Sequence, residues 1–230
     1  LRSAVRQDVI PASPMERVEP PKVRTTESYF YNNQELKLLY QKIEGNILEL
    51  AVKLAGSLGM RREEICGLKW ENVDLRRHLV LIREARTAYG ANIVQKETKN
   101  RASVRTLYLP DEVYLILERE RARQQQERCV QSPAYNPTDH VILDAKGAPY
   151  SPNALSLAFT RFVRKNDLPR LTFHGLRHTF ATIASCQGAS LFDIGKALGH
   201  ATPATTGRIY THLVDRTHEE LVQRVSDALK

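Results

Sequence analysis

Residues 173–212 read FHGLRHTFATIASCQGASLFDIGKALGHATPATTGRIYTH and hold four of the seven histidines of the chain. Their short motifs are HGLRH at 174–178, LGH at 198–200 and RIYTH at 208–212. Chemistry on a phosphodiester needs cationic groups, a proton shuttle and, for covalent catalysis, a nucleophile. Arg177 can grip two phosphate oxygens with its planar fork, His174 can transfer a proton near neutral pH, and Tyr210 carries a hydroxyl. The stretch therefore indicates phosphate chemistry.

Not every histidine of this stretch is expected to act. The spacing of His174, Arg177 and His178 places the three side chains along one face of a helix. His178 precedes the largely apolar run TFATI (179–183), so we expect it to pack in the core, and we also expect a structural role for His212. No Cys, Asp or Glu joins the histidines at ligand spacing, so the sequence predicts neither a metal site nor a cofactor site.

The rest of the chain predicts a mainly α-helical domain with one small antiparallel β-sheet, an α+β fold. Apolar residues recur at helical spacing, and short β-branched or alternating segments separated by Gly or polar residues predict strands. The predicted helices cover about 33–58, 62–68, 111–128, 151–165, 172–188, 191–198, a segment that starts at Thr202-Pro203, and 215–230. The predicted strands cover 79–84, 92–97 and 104–110.

Composition favours a polyanionic partner. The chain has 230 residues, with 34 Lys and Arg against 26 Asp and Glu, and a net charge of +8. A basic surplus of this kind favours nucleic acid through counterion release. Three widely spaced cysteines suit a reduced, cytoplasmic protein rather than a disulfide scaffold. No apolar stretch approaches the roughly 20 residues that cross a bilayer, so we expect no membrane partner.

The motifs resemble the catalytic signature of the tyrosine recombinases, also called phage-type integrases. The resemblance is carried by HGLRHTFAT, by LGH, and by YTH with its tyrosine ten residues after the LGH histidine. It extends upstream to GMRREE (59–64) followed by ICGLKWENVDL. The catalytic residues that the resemblance implies are Arg61, Lys99, His174, Arg177, His200 and Tyr210. In this family pattern Glu64 orients Arg61, whereas Arg62 is expected to be solvated.

Two lysines fit the catalytic lysine position of the pattern. The segment ETKNRASVRTLYLP (97–110) resembles the family's lysine-bearing hairpin, which favours Lys99, with Lys96 as the alternative. We expect Arg101 and Arg105 in the same segment to meet the DNA backbone or solvent. Arg208, which precedes the tyrosine motif, is a further candidate for a DNA-backbone contact.

The resemblance implies a domain plan and partners. Residues 1–28, rich in proline, would be a linker from an N-terminal DNA-binding domain; 29–213 would be the catalytic domain; and 214–230 a helix that packs on its own domain or on a neighbouring protomer. The implied fold is that of the tyrosine recombinase catalytic domain, similar to the type IB topoisomerase core. The partners would be double-stranded DNA, protomers of the same family in a synaptic tetramer, and accessory DNA-bending or directionality proteins. Without DNA we expect a monomer.

The implied activity is integration or excision of a mobile element through a covalent 3′-phosphotyrosyl intermediate, in the cytoplasm at the nucleoid. Three alternatives remain. Residues 190–210 also fit a helix-turn-helix of a non-catalytic DNA-binding protein, which would leave the upstream Arg61 and Lys99 without a role. A type IB topoisomerase would use a similar catalytic set to relax supercoils. A family member that binds without cutting is a further option, although all six expected residues are present.

Overall fold

The computed structural model of the protein describes residues 1–19, 29–90, 92–97, 104–131, 135–200 and 226–227. The α-helices are α1 Arg2–Arg6, α2 Asn33–Ile43, α3 Glu49–Leu58, α4 Arg62–Gly67, α5 Asp111–Gln131, α6 Pro152–Lys165, α7 Phe173–Cys186 and α8 Leu191–Leu198. The strands are β1 Val73–Asp74, β2 Leu79–Ile82, β3 Glu84–Tyr89, β4 Asn92–Glu97 and β5 Arg105–Tyr108. Helices predominate over short antiparallel sheets, so the predicted fold class is confirmed. None of the described helices combines the length and hydropathy that crossing a bilayer requires.

The helix starts follow from capping residues that the sequence displays. The hydroxyls of Ser151, Thr172 and Ser190 accept backbone N–H bonds at the starts of α6, α7 and α8. These contacts satisfy N–H groups that have no partner inside the helix. The predicted beginnings of these three helices are therefore confirmed. The helix predicted from Thr202-Pro203 and most of the one predicted over 215–230 fall outside the described residues.

The strands form two sheets, where the sequence analysis expected one. Strand β2 pairs with β1 on one side and with β5 on the other, both antiparallel. Strand β4 pairs instead with β3, a strand that was not predicted. The sequence of β3, EARTAY, contains Glu and two Ala, which have low strand propensity. Pairing across the turn at Gly90, where φ is 60°, and packing on α4 hold it extended.

Helix α3 lies at the centre of the main core. Almost all of its residues are buried, and it contacts α2, α4, α5 and α7. A second, smaller apolar cluster joins α8 to α7 through Ala181, Ile194 and Leu198, with Phe180 packed against them. Within the part of the chain that the structure describes, α8 therefore attaches to the domain through few apolar residues.

The N-terminal residues contain two short helical segments. Residues 2–6 form the short helix α1, and Pro14–Arg17 form a single 3₁₀ turn. Neither segment contains a buried residue. Proline at the start of the turn fixes φ at a value that helical backbone also adopts, which explains the local turn.

Candidate active site

A glycine turn presents Arg61. Helix α3 ends at Gly59, which has φ 65° and whose N–H donates to Ala55 O at 3.1 Å. A Cβ at this glycine would lie 2.7 Å from side-chain atoms of Leu198 and of Phe180. The left-handed turn and the close approach of α7 and α8 therefore both require glycine. Arg61 follows in extended conformation directly before α4.

Arg61 is held by two partners. Its Nη1 donates to Glu64 Oε1 at 2.7 Å, and its Nη2 donates to the main-chain oxygen of Gly199 at 3.0 Å. The backbone N–H of Arg61 also donates to Glu64 Oε2 at 2.9 Å. About a third of the arginine side chain stays exposed, whereas Glu64 is buried. The contact places Glu64 where it could orient Arg61, the role that the family resemblance implies.

Arg105 occupies a position that the sequence analysis did not expect. Instead of meeting solvent or the DNA backbone, its side chain is buried and forms a double hydrogen bond with Glu64, Nη1 to Oε1 at 3.0 Å and Nη2 to Oε2 at 2.8 Å. Its Nε donates to Ala197 O at 2.7 Å. Strand β5 alternates buried and exposed residues, and Arg105 falls on the buried side. The assignment of Arg105 as a DNA-backbone contact is therefore corrected.

Arg177 is buried on α7 and bridges two chain segments. Its Nη1 donates to Gly59 O at 2.6 Å and its Nη2 donates to Leu198 O at 2.6 Å. A guanidinium carries its N–H donors in a planar arrangement, so Arg177 can bond to both segments at once. His174 lies one helical turn before His178, with ring centroids 4.4 Å apart and ring planes at 88°. His178 is buried, in line with the structural role expected for it.

One cavity of about 580 Å³ collects the basic and imidazole groups. It is lined by Arg61, Arg62, Glu63, Ser156, Thr160, Thr172, Phe173, His174, Arg177 and His200. A cavity of this size is in the range of small-ligand sites. Four of the six expected catalytic residues thus face one space. The other two, Lys99 and Tyr210, fall outside the described residues, as do Arg101 and Arg208.

Two features of the cavity wall were missed from the sequence. Arg62 was expected to be solvated, but its Nη1 donates to Ser156 Oγ at 2.9 Å and its side chain lines the cavity. Ser156 and Thr160 of α6 also line it. A signal for them exists, because they stand four residues apart, whereas Leu155 and Phe159 of the same helix are buried.

Electrostatics keep both cavity histidines neutral near pH 7. Burial lowers the pKa of His174, and the positive charge of Arg177 lowers it further. Burial also lowers the pKa of His200 to about 4, assisted by Arg177 and Arg61. A neutral imidazole offers one N–H donor and one lone pair. Each histidine can therefore accept a proton or donate a hydrogen bond.

The family model described as the phage integrase family matches residues 30–217. The chain belongs to the phage integrase family. The match includes the Gly59 turn, the cavity and the segment that holds Tyr210.

Two relatives of this integrase family member illustrate the similarity. A tyrosine recombinase XerC-like protein of Caldanaerobacter subterraneus subsp. tengcongensis is 26% identical over 231 residues, which cover 95% of this chain and 58% of that protein. The ICEBs1 integrase of Bacillus subtilis is 22% identical over 229 residues, which cover 99% of this chain and 62% of that protein. The chain therefore spans less than two thirds of the length of these relatives.

Solved structures support the integrase fold. The Tn1549 transposon integrase in complex with a circular intermediate DNA aligns with a TM-score of 0.76 at 20% identity, covering 96% of this chain and 75% of that one. A lambda integrase dimer bound to a COC' core site aligns with a TM-score of 0.58 at 18% identity, covering 90% and 68%. The fold expected for a tyrosine recombinase catalytic domain is thereby confirmed.

Proposed function

We propose that this chain cleaves and rejoins DNA at specific sites, through a covalent 3′-phosphotyrosyl intermediate on Tyr210, to integrate or excise a mobile element. The observation that carries the proposal is the single cavity that Arg61, Arg177, His174 and His200 line together. Two guanidinium groups and two neutral imidazoles are what a phosphoryl-transfer transition state needs for charge stabilisation and proton transfer. Membership of the family supports the same activity.

Arg61 and Arg177 form the phosphate clamp in this proposal. Both are fixed before any substrate arrives, because each donates to main-chain oxygens at the junction of α3, α4 and α8. Donors that are already oriented need no reorganisation when negative charge develops on the phosphate oxygens. His200 adds an N–H donor, because an imidazole that its lowered pKa keeps neutral still carries one N–H.

The bond changes are balanced by two proton transfers. The Oη of Tyr210 forms a bond to the scissile phosphorus, and the bond from phosphorus to the 5′ oxygen breaks. His174 accepts the tyrosine proton, and Lys99 donates a proton to the departing 5′ oxygen. Tyrosine has an ordinary pKa of about 10, so it needs this base at neutral pH. A 5′-hydroxyl of another strand then reverses the steps and restores the phosphodiester.

The proposed partners follow from the net charge of the chain and from the DNA-bound structures of similar integrases. A net charge of +8 favours duplex DNA. The Tn1549 and lambda integrases cited above were determined bound to DNA, the latter as a dimer. We extend this to a synaptic tetramer on DNA, with accessory DNA-bending or directionality proteins, in the cytoplasm at the nucleoid. The segment 214–230 would pack on its own domain or on a neighbouring protomer.

A covalent trapping assay tests the proposal. On a nicked suicide duplex that carries the chain's own recombination site, we expect a protein–DNA adduct linked to a 3′ phosphate and a free 5′-hydroxyl. Strand exchange between two such sites, without comparable relaxation of supercoiled DNA, would separate a recombinase from a type IB topoisomerase. A tight footprint with no adduct would instead support the non-catalytic DNA-binding alternative.

The pH profile tests the role of the neutral histidines. Burial and the charge of Arg177 lower the pKa of His174 below its ordinary value of 6.5. Protonation removes its ability to accept the tyrosine proton, so cleavage should fall on the acid side only below pH 6.5. Initial rates of adduct formation from pH 5 to 8 measure this, with circular dichroism to verify that the chain stays folded. Half-loss of activity at or above pH 6.5 would argue against the assignment.

A further inference from the structure

Arginines from three different parts of the fold donate hydrogen bonds to the last carbonyl oxygens of α8. The donor–acceptor pairs are Arg105 Nε to Ala197 O at 2.7 Å, Arg177 Nη2 to Leu198 O at 2.6 Å and Arg61 Nη2 to Gly199 O at 3.0 Å. The last carbonyls of a helix have no partner inside the helix and carry partial negative charge. Among the described residues α8 has few apolar contacts, so these bonds help to fix the position of its end. His200 follows immediately.

Arg105 also shares one carboxylate with the clamp residue Arg61. Glu64 Oε1 accepts from the Nη1 atoms of both arginines, at 2.7 Å from Arg61 and 3.0 Å from Arg105. Glu64 Oε2 accepts from Arg105 Nη2 at 2.8 Å. The group therefore contains two positive charges and one negative charge. Its surplus positive charge lies on the partly exposed Arg61, whereas Arg105 and Glu64 are both buried.

We propose that Arg105 is a positioning residue of the strand-cleavage reaction, because it balances the charge of Glu64 and leaves the charge of Arg61 available to the scissile phosphate. The inference rests on the proposed function. A contact with the DNA backbone or a position in solvent would not give Arg105 this role. Arg105 contacts no reacting atom, and it acts through Glu64 and Arg61 and through the end of α8.

The ionisation of Glu64 is central to this role. Burial alone would raise the pKa of the Glu64 carboxyl, but the hydrogen bonds and charge of Arg105, together with the charge of Arg61, outweigh burial and lower it. The carboxylate is therefore ionised at neutral pH. Without Arg105 it would pair with Arg61 alone, and a close opposite charge would offset the attraction of Arg61 for the phosphate.

A purely structural role for Arg105 makes a different prediction. If Arg105 only stabilised the fold, its loss should slow the cleavage of a charged and of an uncharged scissile group to the same extent. If Arg105 balances charge, its loss should slow mainly the charged substrate, and removing the charge of Glu64 as well should restore that rate, because a neutral glutamine can still accept a hydrogen bond from Arg61. The rate ratio of the two substrates therefore separates the two roles, since rescue by Glu64→Gln alone would also follow from relief of an unpaired buried carboxylate.

The experiment uses the 230-residue chain with the variants Arg105→Met, Glu64→Gln and their combination. The readout is the rate of adduct formation on a suicide duplex with either a phosphodiester or an uncharged methylphosphonate at the scissile position. We expect Arg105→Met to lower the phosphodiester rate on the order of a hundredfold, the effect of losing one transition-state donor. Adding Glu64→Gln should recover about tenfold, as coupled neighbours do. On the methylphosphonate, the loss from Arg105→Met should be smaller, since the substrate has no charge to clamp.

Controls keep the outcomes separate. Arg119→Met removes another arginine that pairs with a buried glutamate, Glu49. This pair lies next to cavities that the clamp residues do not line. The substitution should therefore leave the rate ratio of the two substrates unchanged. If Arg105→Met does not fold, Arg105→Lys tests the role instead. Lysine keeps the positive charge, so this variant should retain the wild-type rate ratio of the phosphodiester and methylphosphonate substrates. A double variant no better than Arg105→Met, or a shifted ratio in Arg105→Lys, would overturn the role of Arg105. Absence of any adduct with the wild-type chain would instead contradict the proposed function, and this inference with it.

Discussion

Tyr210→Phe is expected to abolish the covalent DNA adduct while the chain still binds its DNA. The substitution removes a single oxygen and leaves the ring in place. That oxygen is the proposed nucleophile, and phenylalanine offers no substitute for it. A lost hydrogen bond of about 1 kcal/mol would weaken binding only about fivefold. The measurement is adduct formation on a suicide duplex by denaturing gel, beside binding of the intact duplex by mobility shift.

A matched control separates the nucleophile from tyrosines in general. Tyr108 is 63% exposed on β5, so Tyr108→Phe removes a hydroxyl from the same domain without touching the cavity. This variant should form the adduct at the wild-type rate. Proteolysis of the wild-type adduct and mass spectrometry should locate the nucleotide on the peptide that contains Tyr210. A persistent adduct in Tyr210→Phe would refute the assignment of the nucleophile.

The sequence predicts those parts of the site that depend on short, continuous segments of the chain. The turn at Gly59 and the helix start at Thr172 depend on backbone conformation and capping within a few residues. Arg61 and the pair of His174 and Arg177 follow directly from these local features. The family resemblance adds their roles. Local signals therefore suffice to predict that Arg61, His174 and Arg177 face the cavity, although not that Arg62 does.

The parts that the sequence does not predict depend on pairing between distant segments. Arg105 lies 41 residues from its partner Glu64, and its burial follows from the register of β5 against β2. A basic residue in a basic hairpin segment suggests DNA contact, because nothing nearby in the sequence shows the buried carboxylate. The strand β3 was missed for the same reason, since its polar residues are extended only through pairing with β4. Tertiary context overrode local pattern in both cases.

The second large effect is expected for Arg177→Lys, which retains the positive charge but loses the planar guanidinium group with its paired N–H donors. Arg177 donates to Gly59 O and to Leu198 O at the same time, each at 2.6 Å, from within the core. A single ammonium nitrogen on a shorter stem cannot reach both carbonyls and also meet two phosphate oxygens. One buried carbonyl would be left without its donor, at a cost of about 1–3 kcal/mol in the free energy of unfolding.

Stability and catalysis should change to different extents in this variant. Loss of one preorganised donor to the transition state costs on the order of 100- to 1000-fold in rate, and thermal melting monitors the stability loss separately. Arg62→Lys is the matched control, because Arg62 lines the same cavity but is about a third exposed and pairs with Glu63. Its adduct rate should fall far less. Arg177→Lys could instead cleave as fast as Arg62→Lys while both variants remain folded. A positive charge at position 177 would then be sufficient for cleavage, and the proposal that Arg177 binds two phosphate oxygens at once would be wrong.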